Sequence, residues 1–570
     1  MSVAPALTLL LCALLARTQE NSTNSPHCRN IPGSPGYPTA SVWNELNATV
    51  SGHLVKVIPS AKYCHSLPTG VCTDAEWTSA EFRGTIPGAM NEVNWEQGYD
   101  LNPPSLCLRN GTTCGQGDVP TYSVEAETVS DVQAAVKFSA AHNLRLAVKS
   151  SGHDFLGRST APNALLIRTT NFQNISFTGS FFIGSQDMGS AVTIGSGVHA
   201  NTLYLQSKAN SKIVVSPLAA TVCTAGGYVQ GAGHSALSPT FGLAADNVLE
   251  FHIVVASGEL LQVNRNSHPD LFYALRGGGA GSWGVIVSAT FRTFPTFNVS
   301  SNVIVLIAQN ETAAAALVAV HAQHIFDWDS VHAGQYFLLT KNSTATASTY
   351  IFGLNTYMPN VSINESIALF SPFMEAATAI PGVFLDLQNY TYGNINDAVF
   401  QADDSVGNNA VLGSRLLPAS IYHSPKEVGE AFVELANTGA TEVLGHLVAG
   451  GKVAENANIS SAVHPAWRTA KTHVILANAW DDAATLPEVN ALRKSFQTTQ
   501  LPILKKIAGP NAGAYSNEAD LLEPDFQTTF FGPNYAKLSA IKKKYDPEDL
   551  FIVGAGVGSE RWDEWGICRI

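Results

Sequence analysis

The sequence predicts an α+β protein of at least two domains, on three observations. Its 570 residues exceed one ordinary domain, and 45% hydrophobic content is ample for more than one core. Residues 119–297 read as a helix feeding a series of short strands, whereas residues 298–530 mix longer helical patterns with strands. That change of texture marks a second domain.

Taken in order, residues 1–19 hold the apolar run "APALTLLLCALLA" (4–16), too short to cross a bilayer and followed by polar "RTQENSTNS". It reads as a secretory signal cleaved between Ala16 and Glu20; a buried N-terminal helix is the alternative. Asn-x-Ser/Thr sequons at Asn21, Asn47, Asn110, Asn174, Asn298, Asn310, Asn342, Asn360, Asn364, Asn389 and Asn458 support export and predict N-glycans. No later apolar segment is long enough for a membrane anchor. The expected location is outside the cell or in the lumen of the secretory pathway or vacuole.

Residues 20–118 are loop-rich and carry most of the cysteines, an extension stapled to the body. Cys64 with Cys72 and Cys107 with Cys114 are the local pairings, leaving Cys28 for Cys568, although sequence alone leaves the connectivity open. Cys223 is the odd thiol, read as structurally buried.

In 119–297, "SDVQAAVKFSAAHN" puts Val132, Val136 and Ala140 on one helical stripe, with Ser130 and Gln133 spaced as a capping box. "LRLAVKS" then alternates Leu144, Leu146 and Val148, a strand ending at "KSSGHDFLGR" (149–158). "ALLIRTT", "AVTIGSGV", "VLEFHIVVASGELLQV" and "WGVIVSATFRTF" are further strands. Between them "AGGYVQGAGHSALSPTFGLAADN" holds Gly226, Gly227, Gly231 and Gly233, where backbone turns tightly or approaches a ligand. Beyond 298, "AAAALVAVHAQHIF" is helical and "THVILANAW" a strand. Residues 531–570 begin with "NYAKLSAIKKKYDPEDLF", a helix stopped by Asp-Pro.

Several function classes drop out. A net charge of -13 with 14% charged residues opposes nucleic-acid binding, which needs Lys and Arg on phosphates. Gly279-Ala-Gly-Ser-Trp-Gly284 spells a dinucleotide fingerprint, but it follows a helical pattern and precedes a strand, the reverse of what that site needs. Zinc-peptidase, α/β-hydrolase, P-loop and c-type haem motifs are absent, and no metal site is expected. Ser150, Ser151 and Gly152 at a strand end form a plausible nest for a pyrophosphate, with His153 projecting from it.

"KSSGHDFLGRS", the 225–259 segment "AGGYVQGAGHSALSPTFGLAADNVLEFHIVVASGE", "DLFYALRGGGAGSWGVI" and "NYAKLSAIKKKYDPEDLF", in this order, resemble the FAD-linked oxidases of the vanillyl-alcohol oxidase superfamily, in its berberine-bridge-enzyme-like branch. "YPTAS", "YCH", "GDVPTYSV" and "ICRI" are most similar to secreted fungal members called isoamyl-alcohol-oxidase-like. The resemblance spans residues 28–570. It implies a two-part PCMH-type FAD-binding domain, an inserted α+β substrate domain and a C-terminal segment returning to the FAD domain.

It also implies site residues. His153 matches the histidine that forms an 8α bond to flavin. Ser150, Ser151, Gly152 and Asp154 match the pyrophosphate loop, flanked by Lys149, Gly157 and Arg158. Gly226, Gly227, Gly231 and Gly233 match the cofactor's other side, with Asp246 and Asn247 at the "GLAADN" turn and Asn534 and Tyr535 on the returning segment. Many relatives carry a second flavin link through C-P-x-V; here Ala219-Ala220-Thr221-Val222 occupies those positions and Cys223 follows late, so one covalent link is expected. Tyr515 is the first candidate for a base, beside Asn517; Asp481 with Asp482 is a surface pair unless its strand turns it inward. The implied reaction moves hydride from an alcohol or related small molecule to FAD, with O2 as acceptor. A tailoring oxidase of secondary metabolites and a catalytically silent flavin-fold binding protein are the alternatives.

Overall fold

The helix that opens the first body starts two residues earlier than its spacing suggests. In the computed structural model, which describes residues 28–111, 113–343 and 348–570, Thr128 caps the helix Val129–Ala141 by accepting the Asp131 N–H, and Asp131 returns the bond. Ser130 and Gln133 fall inside the helix instead, where the Gln133 side chain donates to the Gly258 carbonyl. The buried stripe is Val132, Ala135, Val136 and Ser139, while Ala140 faces outward.

This helix leads into the strand Leu146–Lys149, parallel to Leu165–Arg168, which in turn lies parallel to Tyr122–Glu125. Parallel neighbours need such a crossover. The outer strand of the four, Leu54–Lys56, comes from the N-terminal extension and pairs antiparallel with Tyr122–Glu125. The extension is thus more than a stapled loop: its helix Ala40–Thr49 sends Trp43 and Leu46 into the same core as Val132 and Leu146.

A second sheet, antiparallel throughout, orders Leu260–Asn264, Val248–Val254, Val285–Arg292, Ala191–Gly195 and Ile175–Thr178. Val254, Val285 and Val287 share the core of the first sheet, so the two sheets make one body. The third sheet has seven antiparallel strands, ordered Val383–Asn394, Asn298–Ala308, Ser348–Pro359, Gly334–Ser343, Glu442–Leu447, Ala470–Trp480 and Asn409–Pro418. The helices Glu311–His324, Ile363–Thr378, Pro425–Asn437 and Leu501–Ala508 pack on it around Trp328, Phe337, Phe352 and Phe370.

The chain rejoins the first body before residue 531. Ala514, Ala519, Phe530 and Phe531 already pack with Trp283 and Leu271, and the helix Tyr535–Tyr545 adds Leu538 and Ile541. Lys542 is buried against Asp546 at 2.5 Å, and Asp546 also accepts the N–H groups of Leu550 and Phe551, which fixes the stop after the helix.

Disulfides join Cys28 to Cys568, Cys64 to Cys72 and Cys107 to Cys114, and Cys223 is a buried free thiol. Among the described residues no helix is long and apolar enough to cross a membrane. The expected signal at 1–19 and the Asn21 sequon lie outside the described residues. The other sequon asparagines are exposed, apart from half-buried Asn47.

Candidate active site

The strand Leu146–Lys149 ends where the bodies meet, and the chain turns there at Gly152 with φ +96°, a conformation L side chains rarely adopt. Residues 150–154 form one wall of a cavity of about 620 Å³, within the range of small-molecule sites. Other walls come from Gly226, Gly227, Gly281 and Gly284, from Tyr336 and His446 of the seven-stranded sheet, and from Tyr515 and Glu518. The run 279–284, discounted as a dinucleotide fingerprint, therefore serves this cavity in another way: Gly281 and Gly284, at φ +82° and +146°, bring bare backbone to its wall.

His153 is held by a group that no local motif announces. Asp404, from the loop after the helix Ile395–Ala398, accepts the Ala220 N–H at 2.8 Å, the Thr221 N–H at 2.7 Å and the Thr221 hydroxyl at 2.6 Å. Because Thr221 donates its only hydroxyl proton to Asp404, its oxygen accepts from His153 Nε2, 2.5 Å away. In the neutral ring Nδ1 then carries the lone pair. His153 Nε2 also lies 3.2 Å from Asp404 Oδ2. Burial raises the Asp404 carboxyl, but His153 and Thr221 outweigh it and hold it well below the usual carboxylate range.

Asp154 works within its own loop, accepting from the Leu156 N–H, the Ser159 N–H and hydroxyl, and Arg158 Nε. Arg158 donates onward to Asn517 Oδ1 at 3.0 Å.

Whether FAD suits these walls is tested by polar atoms that the protein leaves unpartnered. Glu92 Oε2, Ser196 Oγ and Gln230 Oε1 belong to residues of the cavity wall and are buried with no hydrogen-bond partner. Such groups are rare unless a polar ligand completes them. Burial pushes the Glu92 carboxyl up to about 7, with His153 pulling the other way. A Cβ on Gly226 would lie 2.5 Å from Ser150 Oγ, so this backbone is as close to the 150–154 loop as the fold allows. A glycine-lined cleft with unpaired donors and acceptors at a strand end fits a dinucleotide with a ring system and a pyrophosphate.

Of the residues expected at the site, Ser150, Ser151, Gly152, His153, Asp154, Arg158, Gly226, Gly227, Tyr515 and Asn517 line the cavity. Eight others lie off its wall and do structural work instead. Lys149 donates to the carbonyls of Pro87 and Ala89. Gly157, Gly231 and Gly233 sit where a Cβ would meet Trp95, Asn517 and Ala244, respectively. Asp246 forms a two-pronged pair with Arg468, and Asn247 caps the carbonyls of Phe241 and Leu243. Asn534 ties Tyr273 to the carbonyls of Ala462 and Val463; the Tyr535 hydroxyl donates to Glu560. Asp481 is exposed and Asp482 accepts from Asn409, both outside the cavity lining.

Cys223 lines the cavity on the His153 side of the glycine segment. Its neighbour His199 is lowered by burial, but contact with Cys223 and Glu81 outweighs this and raises it to about 9.

Sequence reasoning missed one further wall. The Tyr515 hydroxyl accepts from Asn517 Nδ2 at 2.8 Å and reaches the Tyr228 carbonyl at 3.4 Å, so both of its roles are taken up within the protein. Burial pushes this phenol well above its ordinary range. Around it stand His234, His446, His473 and Glu518. His446 and His473 are directly paired across adjacent antiparallel strands and so project on one face. Burial lowers His446 to about 3; burial also raises Glu518, but His234, His473 and His446 outweigh that and hold it down to about 2. These four come from distant positions, so no spacing rule finds them; "GAGHS" was the only local hint.

Known proteins resemble this chain in sequence and fold. A family model described as FAD binding domain matches residues 120–264, and one described as berberine and berberine like matches 514–558. An uncharacterized FAD-linked oxidoreductase of Arthroderma benhamiae is 37% identical over 99% of both chains. The VAO-type flavoprotein oxidase VAO615 of Thermothelomyces thermophilus is 32% identical over 98% of both. The crystal structure of the VAO-type flavoprotein MtVAO615 of Myceliophthora thermophila superposes with a TM-score of 0.84 at 29% identity, covering 95% of this chain and 100% of that one. Berberine bridge enzyme, solved as a single-residue variant, shares the fold alone, at 17% identity and a TM-score of 0.61 over 79% of this chain and 92% of that one.

Proposed function

The chain belongs to the FAD-linked oxidoreductases of the vanillyl-alcohol oxidase and berberine-bridge type, and on that premise we propose that it is an exported oxidase of an alcohol or related small molecule, its FAD bound covalently through His153. The observation that carries the covalent reading is the His153–Thr221–Asp404 chain, which ties up Nε2 and leaves Nδ1 with the lone pair a bond to flavin needs. Bound FAD supplies a two-electron acceptor for hydride from a substrate C–H, renewed by dioxygen with release of hydrogen peroxide.

The protein's own residues divide the remaining work. The 150–154 loop and the glycines at 226, 227, 281 and 284, which line the cavity, would hold the cofactor. The substrate hydroxyl meets the wall of Tyr515, His446 and Glu518. Tyr515 closes this wall and is not the base, since its own hydroxyl is engaged by Asn517 and Tyr228. Three disulfides and exposed sequons support passage through the secretory pathway.

The test is a purified full-length protein that is yellow, keeps its flavin with the chain after acid precipitation, and makes peroxide from a member of an alcohol panel. A colourless protein would remove the flavoenzyme reading. His153→Ala releases the flavin into the acid supernatant while the protein stays folded; flavin still covalent in that variant would move the bond to Cys223.

A further inference from the structure

The histidine cluster beside the cavity asks for more than a proton. Four side chains from three separate regions converge: His234 within the glycine segment, His446 and His473 from paired strands, and Glu518 from the returning chain. Each offers one ligand atom, and these atoms all lie within 4.8 Å of one another. His234 Nε2 is 3.1 Å and His473 Nδ1 3.4 Å from the same oxygen, Glu518 Oε2. Ligands at 2.0–2.1 Å around a tetrahedral zinc ion stand about 3.3 Å apart.

The ring nitrogens carry the second observation. His234 Nε2 already meets Glu518 Oε2, but His446 Nδ1 and both nitrogens of His473 are buried with no hydrogen-bond partner. An unsatisfied buried polar group costs about 1–3 kcal/mol, and native structures rarely leave two adjacent imidazoles so poorly served. A plain ion pair does not resolve this, because one carboxylate pairs with one imidazolium and leaves two rings unexplained. Apolar and aromatic neighbours, Trp467 and Tyr515, close the site and offer the rings no polar partner in exchange.

We propose that His234, His446, His473 and Glu518 form a divalent transition-metal site, with zinc the first choice, at the substrate end of the cavity. Three neutral imidazoles and one carboxylate make a nitrogen-rich set suited to zinc and its neighbours rather than to magnesium or calcium. With one anionic ligand a divalent ion keeps a net charge of about +1. His234, His446 and Glu518 border the cavity, so that charge faces a substrate oxygen, a hydroxyl or a carboxylate. Only this last step rests on the function proposed above; the binding of the ion does not.

The experiment is elemental analysis of the purified full-length flavoprotein, prepared without chelator, with flavin absorbance read on the same sample. About one zinc or similar ion per chain is expected, lost in His473→Gln. Should that variant fail to fold, wild-type protein stripped with a chelator and reloaded with cobalt(II) is the second measurement, and visible d–d bands beyond the flavin absorption are expected. A yellow protein with no bound metal and no cobalt bands overturns the site and leaves the four residues to proton transfer. A metal-loaded but colourless protein would instead keep the site and overturn the flavin reading.

Discussion

Replacing Asp404 by Asn tests whether the substrate domain holds the His153 loop in place. The carboxylate takes two backbone N–H groups, of Ala220 and Thr221, and the Thr221 hydroxyl, with His153 Nε2 at 3.2 Å. Asparagine keeps one acceptor oxygen and turns the other into a donor that faces an N–H. At least one charge-assisted bond, worth about 1.5–3 kcal/mol, is lost, and one buried N–H is left unpaired at about 1–3 kcal/mol. The sum is about 2.5–6 kcal/mol, and unfolding entropy of about 2.1 cal/mol/K per residue converts that to roughly 2–5 °C in Tm for a chain of this length. The assay is differential scanning fluorimetry paired with the fraction of flavin that stays with the protein after acid precipitation. Both fall in Asp404→Asn and further in Asp404→Ala. Because the folded-state carboxyl is depressed, its contribution is complete above the ordinary aspartate range and fades as pH falls, so the gap between wild type and variant narrows in acid. Unchanged Tm and unchanged covalent flavin in both variants would refute the claim that this contact organises the site.

Three further outcomes are expected. Burial, then Asp100 and Glu564, push the Asp118 carboxyl up to about 7, so the folded state keeps a proton the unfolded chain gives up from about pH 4. Stability from this residue therefore declines as pH rises from about 4 to 7, and Asp118→Asn gains roughly 2–4 kcal/mol over wild type at pH 8, measured by denaturant titration; equal pH slopes would sink the idea. Gly284→Ala forces a side chain onto φ +146° with its Cβ 2.4 Å from the Val254 carbonyl, and lowers stability by about 1–3 kcal/mol together with flavin occupancy. Cys28→Ser opens a link spanning 540 residues, with an expected loss of about 2–5 kcal/mol seen as a lower Tm under non-reducing conditions.

Much of the fold could be read along the chain because it rests on local periodicity. The strands at 146–149, 165–168, 191–195 and 285–292 and the helix 535–545 announce themselves by alternation, by a 3.6-residue stripe and by an Asp-Pro stop. The short disulfides follow from spacing. The loop on the cavity wall was legible for the same reason: small residues, two left-handed glycines and one histidine fall within ten positions.

What only the tertiary structure decided is the company each of these keeps. Leu54–Lys56 joins a sheet because pairing partners are chosen in space, not along the chain. Gly231, Asp246 and Asn534 look like cofactor contacts in a row of motifs, yet they face Asn517, Arg468 and Tyr273, because a motif fixes proximity in sequence and not the direction of a side chain. Asp404 reaches His153 across 251 positions, and the His234, His446, His473 and Glu518 group assembles from three regions. A sequence by itself determines which backbones can turn and which faces must be buried; the burial of those faces decides which distant polar groups are forced together, and the chemistry of this protein sits among them.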